Sequence, residues 1–176
     1  DIGGGSPELT SINGGFDLAK TSIPQGSLSS FATYVKGLLP TQKEIGAIAQ
    51  AFQEHASREE TDVYRSSQLY GIGGSIRSAA KLYGDLCNDG NRFNYLLPEH
   101  IDAILERYAK NPDAFAHEAL RTVPDRIHTL IPGCVIIREA FKLCGGERLD
   151  ICKYGVREGY LAERVLVKPV SCPQSA

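Results

Sequence analysis

The stretch DIGGGSPEL, residues 1–9, places three consecutive glycines between an apolar residue and a serine. Glycine adds nothing to a hydrophobic core, but successive glycines allow positive φ angles that turn several backbone N–H groups toward one point. Such a group of donors can hold an anion, and the serine hydroxyl would add one more. The candidate phosphate-binding residues are Gly3, Gly4, Gly5 and Ser6. A glycine-rich β turn without a ligand is the alternative, and the stretch alone does not decide between them.

A carboxylate lies on each side of this loop, at Asp1 and Glu8. Carboxylate oxygens are the protein ligands that Mg²⁺ prefers when the ion also contacts phosphate oxygens. Asp1 and Glu8 are therefore the candidate catalytic residues and the candidate metal ligands. They would either hold Mg²⁺ against a phosphate group or orient a water molecule.

A second glycine segment lies in SQLYGIGGSIRSAAKLYG, residues 67–84. A short apolar run ends in glycines and a helical pattern follows at once, which predicts a strand, a tight turn and a helix. Free N–H groups and the helix dipole at such a turn favour a phosphate or polar ligand. The segment is neither a Walker A loop nor a complete dinucleotide-binding fingerprint, so a purely structural turn is the alternative. The candidate residues are Gly73, Gly74, Ser75 and Arg77, the last of which is alternatively a solvated surface arginine.

Composition and charge limit the remaining classes of function. With 176 residues and a net charge of −2, the chain has room for one substantial core, and it has no dense Lys/Arg cluster for a nucleic acid duplex. It has no run of eighteen apolar residues that would span a bilayer, so no membrane partner is expected. The odd number of cysteines without C-x-x-C spacing predicts reduced thiols in a cytoplasmic protein. These cysteines are Cys87, Cys134, Cys144, Cys152 and Cys172.

The periodicity of apolar residues predicts the order of elements along the chain. An Asn13-Gly14 turn predicts a β hairpin within the first 26 residues, and helical spacing follows from Leu28 until Pro40. Thr41 and Glu44 form a capping box before the next helix. Further helices are expected after Pro98, after Pro112, over 133–143 and over 156–166, with a strand in 148–155. Strands separated by helices predict an α/β architecture with a mixed sheet that includes the antiparallel hairpin.

Five motifs, in this order, resemble those of the exopolyphosphatase / guanosine pentaphosphate phosphohydrolase (Ppx/GppA) family. DIGGGSPEL resembles its D-[IL]-G-G-G-S-T-E-L signature, and SIPQG at 22–26 its S-[LIV]-x-x-G. GIGGSIRSAAKL at 71–82 is similar to its second glycine motif, DRIHTLIPG at 125–133 to E-R-A-D-x-[IL]-x-x-G, and YGVREGYL at 154–161 to G-[LV]-R-E-G. The resemblance covers nearly the whole chain.

The resemblance implies an actin-like (ribonuclease H-like) fold, in which residues 1–166 form the second of two actin-like domains. Residues 167–176 would be a tail without periodicity, compatible with disorder. The family removes terminal phosphates from polyphosphate or guanosine pentaphosphate with Mg²⁺ and a water nucleophile, in a cleft between the two domains. The N-terminal actin-like domain of a longer parent chain would supply the catalytic base, so this chain alone is expected to be inactive. A homodimer is a candidate assembly.

Carried over by motif, Asp1 and Glu8 would be acidic groups of the cleft and residues 3–6 the phosphate loop. The second glycine loop would match the one that faces nucleotide in ATP-using relatives, whereas Arg157 and Glu158 would tie the last helix to the sheet. Three departures stand out: Pro7 replaces a threonine beside the loop, the serines and leucine of 27–29 stand where the family often has an arginine, and His128 replaces an aspartate. They leave open two alternatives, a non-catalytic phosphate- or nucleotide-binding module and half of an actin-like sugar or acetate kinase.

Overall fold

The fold was taken from a computed structural model, which describes residues 1–86 and 93–166. Within these residues five strands and seven α-helices follow one another, and a turn of π-helix, Leu161–Leu166, comes after the last helix. The strands are β1 (Glu8–Asn13), β2 (Phe16–Ser22), β3 (Gln68–Gly71), β4 (Tyr95–Leu96) and β5 (Arg148–Ile151). The helices are α1 (Ser27–Tyr34), α2 (Gln42–Ala56), α3 (Gly74–Leu86), α4 (Pro98–Lys110), α5 (Pro112–Thr122), α6 (Ile127–Cys144) and α7 (Val156–Tyr160).

The strands form two separate sheets. β1 and β2 are an antiparallel hairpin with a register shift at Ser11/Ile12, and Gly14 and Gly15 in its turn both have positive φ angles. The other sheet has the order β3-β5-β4, with β5 parallel to β3 and antiparallel to β4. The predicted α/β class and the mixed sheet are confirmed, but the hairpin forms a sheet of its own.

Helix α6 lies at the centre of the core and packs against α1, α2, α3, α4 and α5. It is buried along most of its length, and Ile131, Ile136 and Ile137 have no exposed surface. A helix this apolar must be covered on all sides, which explains why the surrounding helices are amphipathic. The short β3-β5-β4 sheet packs at one edge of this core through Leu96 and Leu149.

The predicted helix bounds are correct at some helices and wrong at others. The capping box of α2 is confirmed, because the Glu44 N–H donates to the Thr41 hydroxyl at 3.3 Å and the Thr41 N–H donates to the Glu44 carboxylate at 2.7 Å. Helix α1 ends at Tyr34 instead of continuing toward Pro40, since Val35 has extended backbone angles. Helix α6 begins at Ile127, six residues before the predicted start, and includes Pro132.

One carboxylate lies inside this core. Glu139 of α6 is 2% exposed and accepts hydrogen bonds from Gln53 at 2.7 Å and Lys142 at 2.8 Å. Burial by itself would raise the pKa of Glu139, but the hydrogen bonds from Lys142 and Gln53 outweigh it, and the net pKa is lowered. The charge is therefore compensated where it is buried.

The described ranges, 1–86 and 93–166, contain no helix with the length and apolar character needed to span a membrane.

The tail predicted for 167–176 lies outside the described residues, as does most of the polar stretch at 88–94. The short strand β4 at its far end was not predicted. Final helical structure over 156–166 is confirmed, although only 156–160 is α-helical.

Candidate functional site

The first glycine segment folds into a tight loop that is closed at its base. Ile2 and Pro7 face each other as an antiparallel bridge, and both are buried. Across this base the Gly3 N–H donates to the Ser6 carbonyl at 3.2 Å, and the Glu8 N–H donates to the Asp1 carbonyl at 2.8 Å. The loop between them is exposed at its two central glycines.

The carbonyl side of this loop faces the start of α1. The Ser27 N–H donates to the Gly3 carbonyl at 3.1 Å. The Leu28 N–H donates to the Gly4 carbonyl at 2.9 Å, and the Gly26 N–H donates to the Gly5 carbonyl at 2.8 Å. Loop carbonyls thereby satisfy N–H groups that the first turn of a helix leaves without partners.

The opposite side of the loop carries N–H groups. In a trans peptide the C=O and the following N–H point in opposite directions. Because the three glycine carbonyls face α1, the N–H groups of Gly4, Gly5 and Ser6 face away from it. None of the three has a hydrogen-bond partner among the described residues. This row of donors, here called the amide cradle, can donate hydrogen bonds to a bound anion.

The expected reason for the glycines is wrong. The positive φ angles in the described residues occur at Gly14, Gly15, Gly73 and Gly145, and none of the first three glycines has one. The constraint is the close approach of two backbones: a Cβ on Gly26 would lie 2.5 Å from the Gly4 carbonyl carbon. A Cβ on Gly5 would meet no atom within 4 Å. Packing therefore requires glycine at position 26, whereas no contact in the fold requires glycine at position 5.

The two glycine segments lie against each other. The Ile2 N–H donates to the Ile72 carbonyl at 3.2 Å. Gly73 has a φ of +109°, and a Cβ there would lie 2.8 Å from Asp1 Oδ1. Beneath this contact the buried Ser75 hydroxyl donates to the Ser27 hydroxyl at 3.2 Å, and Ser27 donates onward to the Gly3 carbonyl at 3.3 Å.

The two predicted acidic residues occupy different surroundings. Glu8 is exposed and accepts a short hydrogen bond from the Ser6 hydroxyl and a longer one of 3.5 Å from Ser22, so its carboxylate is held next to the amide cradle. The Asp1 carboxylate lies at the second glycine loop. In the part of the chain that the structure describes, no group of three His, Cys, Asp or Glu side chains could hold a metal ion. Two exposed carboxylates fit only a cation that also binds phosphate and water, as Mg²⁺ does.

Arg126 is a candidate that the sequence analysis missed. Its guanidinium fills the space beside Gly74 at the start of α3, where a Cβ would lie 2.2 Å from Nη2. Its guanidinium makes no ion pair or hydrogen bond within residues 1–86 and 93–166. The signal that could have identified Arg126 was its place in DRIHTLIPG, the fourth of the five motifs.

The predicted role of the last motif is wrong. The Glu158 carboxylate accepts from the Gly155 N–H at 2.8 Å and so caps its own helix, without a hydrogen bond to the sheet. That hydrogen bond is the main cause of a lowered Glu158 pKa, to which the positive charges of Arg157 and Arg77 also contribute. Arg77 is exposed, and no described hydrogen bond joins it to either glycine loop.

The departures at Pro7 and His128 leave the three N–H groups of the amide cradle in place. Pro7 pairs with the strand that follows the hairpin turn, where the Ile23 N–H donates to the Pro7 carbonyl at 3.0 Å. In an antiparallel pair, the N–H that proline lacks would face Ile23 and not the loop. His128 is exposed at the start of α6 and stacks on Phe31, with ring centroids 5.2 Å apart.

The α/β fold brings two glycine loops into contact and leaves outward-facing amides beside a carboxylate. The family model of the Ppx/GppA phosphatase family matches residues 1–168. The chain therefore belongs to the Ppx/GppA phosphatase family.

Solved structures share the actin-like fold. A Ppx/GppA family member from Aquifex aeolicus has a TM-score of 0.74 at 21% identity, over 94% of this chain and 54% of its own. An exopolyphosphatase from Cytophaga hutchinsonii has a TM-score of 0.73 at 18% identity, over 92% of this chain and 54% of its own. An exopolyphosphatase-like protein has a TM-score of 0.74 at 19% identity, over 92% of this chain and 57% of its own. No curated protein matches. The chain thus spans little more than half the length of these structures.

Proposed function

We propose that this chain forms the phosphate-binding half of an active site that hydrolyses terminal phosphoanhydride bonds, in inorganic polyphosphate or guanosine pentaphosphate. Family membership supports a phosphatase role in general. The observation that carries the specific proposal is the amide cradle. Its three N–H groups at Gly4, Gly5 and Ser6 have no described partner and lie beside the Glu8 carboxylate.

The physical basis is electrostatic. In phosphoryl transfer the protein mainly positions the groups and stabilises the charge on the transferred phosphoryl oxygens. Preorganised backbone N–H groups do this without reorganisation, because the loop is already fixed through its carbonyls against α1. The Ser6 hydroxyl and the Glu8 carboxylate, already in contact, would orient the groups around that phosphoryl.

Asp1 and Glu8 would hold the divalent cation, for which their oxygen ligands are suited. When bound, Mg²⁺ supplies positive charge to the phosphate oxygens. The N-terminal actin-like domain of the parent chain would contribute the base that activates water, and a homodimer is the candidate assembly. A cytoplasmic location goes with the unpaired thiols of Cys134, Cys144 and Cys152.

The test is phosphate release by the full-length protein from long polyphosphate and guanosine pentaphosphate, with Mg²⁺. Glu8→Gln and Ser6→Ala are expected to lower kcat by about 10-fold or more. Glu106→Gln and Ser11→Ala are matched controls, because neither residue makes a described side-chain contact near the cradle.

The outcomes separate the alternatives. Release by wild type and loss in the two cradle variants alone would support the proposal. Phosphate binding without release from either substrate would instead identify a non-catalytic module. Equal activity in all five proteins would exclude Ser6 and Glu8 from the mechanism.

A further inference from the structure

A pair of buried serine hydroxyls connects the starts of two helices to the first glycine loop. Ser27 is the first residue of α1, and Ser75 is the second residue of α3. Ser27 is 1% exposed and Ser75 is 7% exposed. Ser75 Oγ lies 3.2 Å from Ser27 Oγ, which in turn lies 3.3 Å from the Gly3 carbonyl oxygen. We call this chain of hydrogen bonds from Ser75 through Ser27 to Gly3 the serine relay.

The direction of the serine relay follows from the groups that form it. A carbonyl oxygen only accepts hydrogen bonds, and a hydroxyl has a single hydrogen to donate. Ser27 therefore donates its hydrogen to the Gly3 carbonyl and accepts the hydrogen of Ser75. Both O–H groups point along the relay toward the first loop.

The serine relay ends on a peptide unit of the amide cradle. The Gly3 carbonyl belongs to the same peptide unit as the Gly4 N–H, which faces the opposite side. This carbonyl accepts twice from Ser27, from the N–H at 3.1 Å and from the hydroxyl at 3.3 Å. Consecutive hydrogen bonds polarise one another in a buried environment, so a peptide that accepts at its carbonyl donates more strongly at its N–H. The relay therefore acts on the Gly4 N–H.

Helix α6 leaves the space in which the two hydroxyls meet. A Cβ on Gly133 would lie 3.2 Å from Ser75 Cβ, 3.4 Å from Ser75 Oγ and 3.6 Å from Ser27 Cβ. Ser27 directly follows the second of the five motifs, Ser75 lies in the third, and Gly133 ends the fourth. Three motifs that are far apart in the sequence therefore meet at the serine relay.

We propose that Ser27 and Ser75 are positioning residues of the amide cradle, which orient the Gly3–Gly4 peptide and strengthen its N–H as a donor to bound phosphate. Both hydroxyls are buried beneath the loop, so they act through this peptide and not by touching the phosphate. This inference rests on the proposed function, because it takes phosphate as the ligand of the cradle. It assigns Ser75, a candidate ligand-binding residue of the second loop, a role at the first loop.

The test measures equilibrium binding of tripolyphosphate to the full-length protein, with metal chelated to prevent turnover. The variants are Ser27→Ala, Ser75→Ala and the double variant, and Ser75→Thr keeps the donating hydroxyl. The matched control is Ser30→Ala, because Ser30 also lies on α1, is 0% exposed and has a hydroxyl without a hydrogen-bond partner among the described residues. Urea midpoints establish that each variant is folded under the conditions of the binding assay.

We expect Ser27→Ala to bind tripolyphosphate about 3- to 10-fold more weakly and Ser75→Ala about 2- to 5-fold more weakly, in line with the loss of one neutral hydrogen bond. The double variant should bind no more weakly than Ser27→Ala, since Ser75 acts only through Ser27. Ser30→Ala and Ser75→Thr should bind as wild type does.

The outcomes that would overturn the inference are distinct from those that concern the proposed function. Unchanged binding in both alanine variants would overturn the inference and leave the proposed function intact. Losses that multiply in the double variant, or an equal loss in Ser30→Ala, would overturn it because they indicate separate structural effects. Wild type that binds no tripolyphosphate would contradict the proposed function and overturn the inference with it.

Discussion

Glycines 5 and 26 allow the packing role of the first loop to be separated from its binding role. Gly26 has φ −85° and ψ −178°, angles that alanine adopts readily. A Cβ there would nevertheless lie 2.5 Å from the Gly4 carbonyl carbon and oxygen and 2.6 Å from the Gly5 carbonyl carbon. All three atoms are backbone, so the loop or the start of α1 has to move.

Gly26→Ala is therefore expected to lower the free energy of unfolding by about 1–3 kcal/mol, the usual cost of overpacking. Gly5→Ala meets no atom within 4 Å and has no positive φ to maintain. It should leave stability unchanged or raise it by about 0.4–1 kcal/mol, because alanine restricts the unfolded chain. Its methyl group, however, stands beside two N–H groups of the amide cradle.

The assay combines urea denaturation followed by circular dichroism with tripolyphosphate binding, both on the full-length protein. Gly5→Ala should bind tripolyphosphate about 10-fold more weakly at unchanged stability, since hydrogen bonds to a charged group are worth about 1.5–3 kcal/mol each. Normal binding by Gly5→Ala, or destabilisation equal to that of Gly26→Ala, would refute this reasoning.

Three further predictions concern the fold around the site. The pKa of Glu139 is lowered in the folded protein, so the ionised carboxylate stabilises the fold above the ordinary glutamate pKa, and this stabilisation is lost as the pH falls through the folded pKa. In Glu139→Gln the urea midpoint should therefore depend less on pH in that acidic range. Burial raises the pKa of the Cys134 thiol to about 12, whereas Cys152 is half-buried. Mass spectrometry after brief iodoacetamide treatment at pH 8 should therefore find Cys134 unmodified and Cys152 alkylated. Rapid alkylation of Cys134 would contradict its burial. Gly73→Ala should destabilise the protein by about 1–3 kcal/mol through its positive φ and the contact with Asp1, and an unchanged urea midpoint would contradict the geometry of the second loop.

Local patterns predicted the elements that depend on neighbouring residues. The capping box at Thr41 and the strand-turn-helix around Gly73 are confirmed, because both depend on interactions within a few residues. The two-residue strand β4 is too short to show a period, and α6 continues through Pro132 because burial in the core outweighs the local signal. Tertiary packing therefore decided the elements whose local signals were weak or misleading.

The two candidate glycine loops could be located from the sequence, but the contacts that shape them could not. The glycines of the first loop stand out in any reading of the sequence, yet the cause assigned to them, positive φ, is wrong. The close contact of this loop instead requires glycine at position 26, some twenty residues away, and no local pattern encodes such a contact. Arg126 was missed although it lies in the fourth motif, since only the fold shows that it lies over Gly74.

Amide chemical shifts test the central claim most directly, namely that outward-facing backbone N–H groups bind phosphate. In the full-length protein with ¹⁵N-labelled glycine and serine and with metal chelated, tripolyphosphate should shift the amide signals of Gly4, Gly5 and Ser6. The hairpin-turn signals of Gly14 and Gly15, which are exposed on the same chain, should stay in place. Saturating tripolyphosphate that leaves the three cradle signals unmoved would contradict the account.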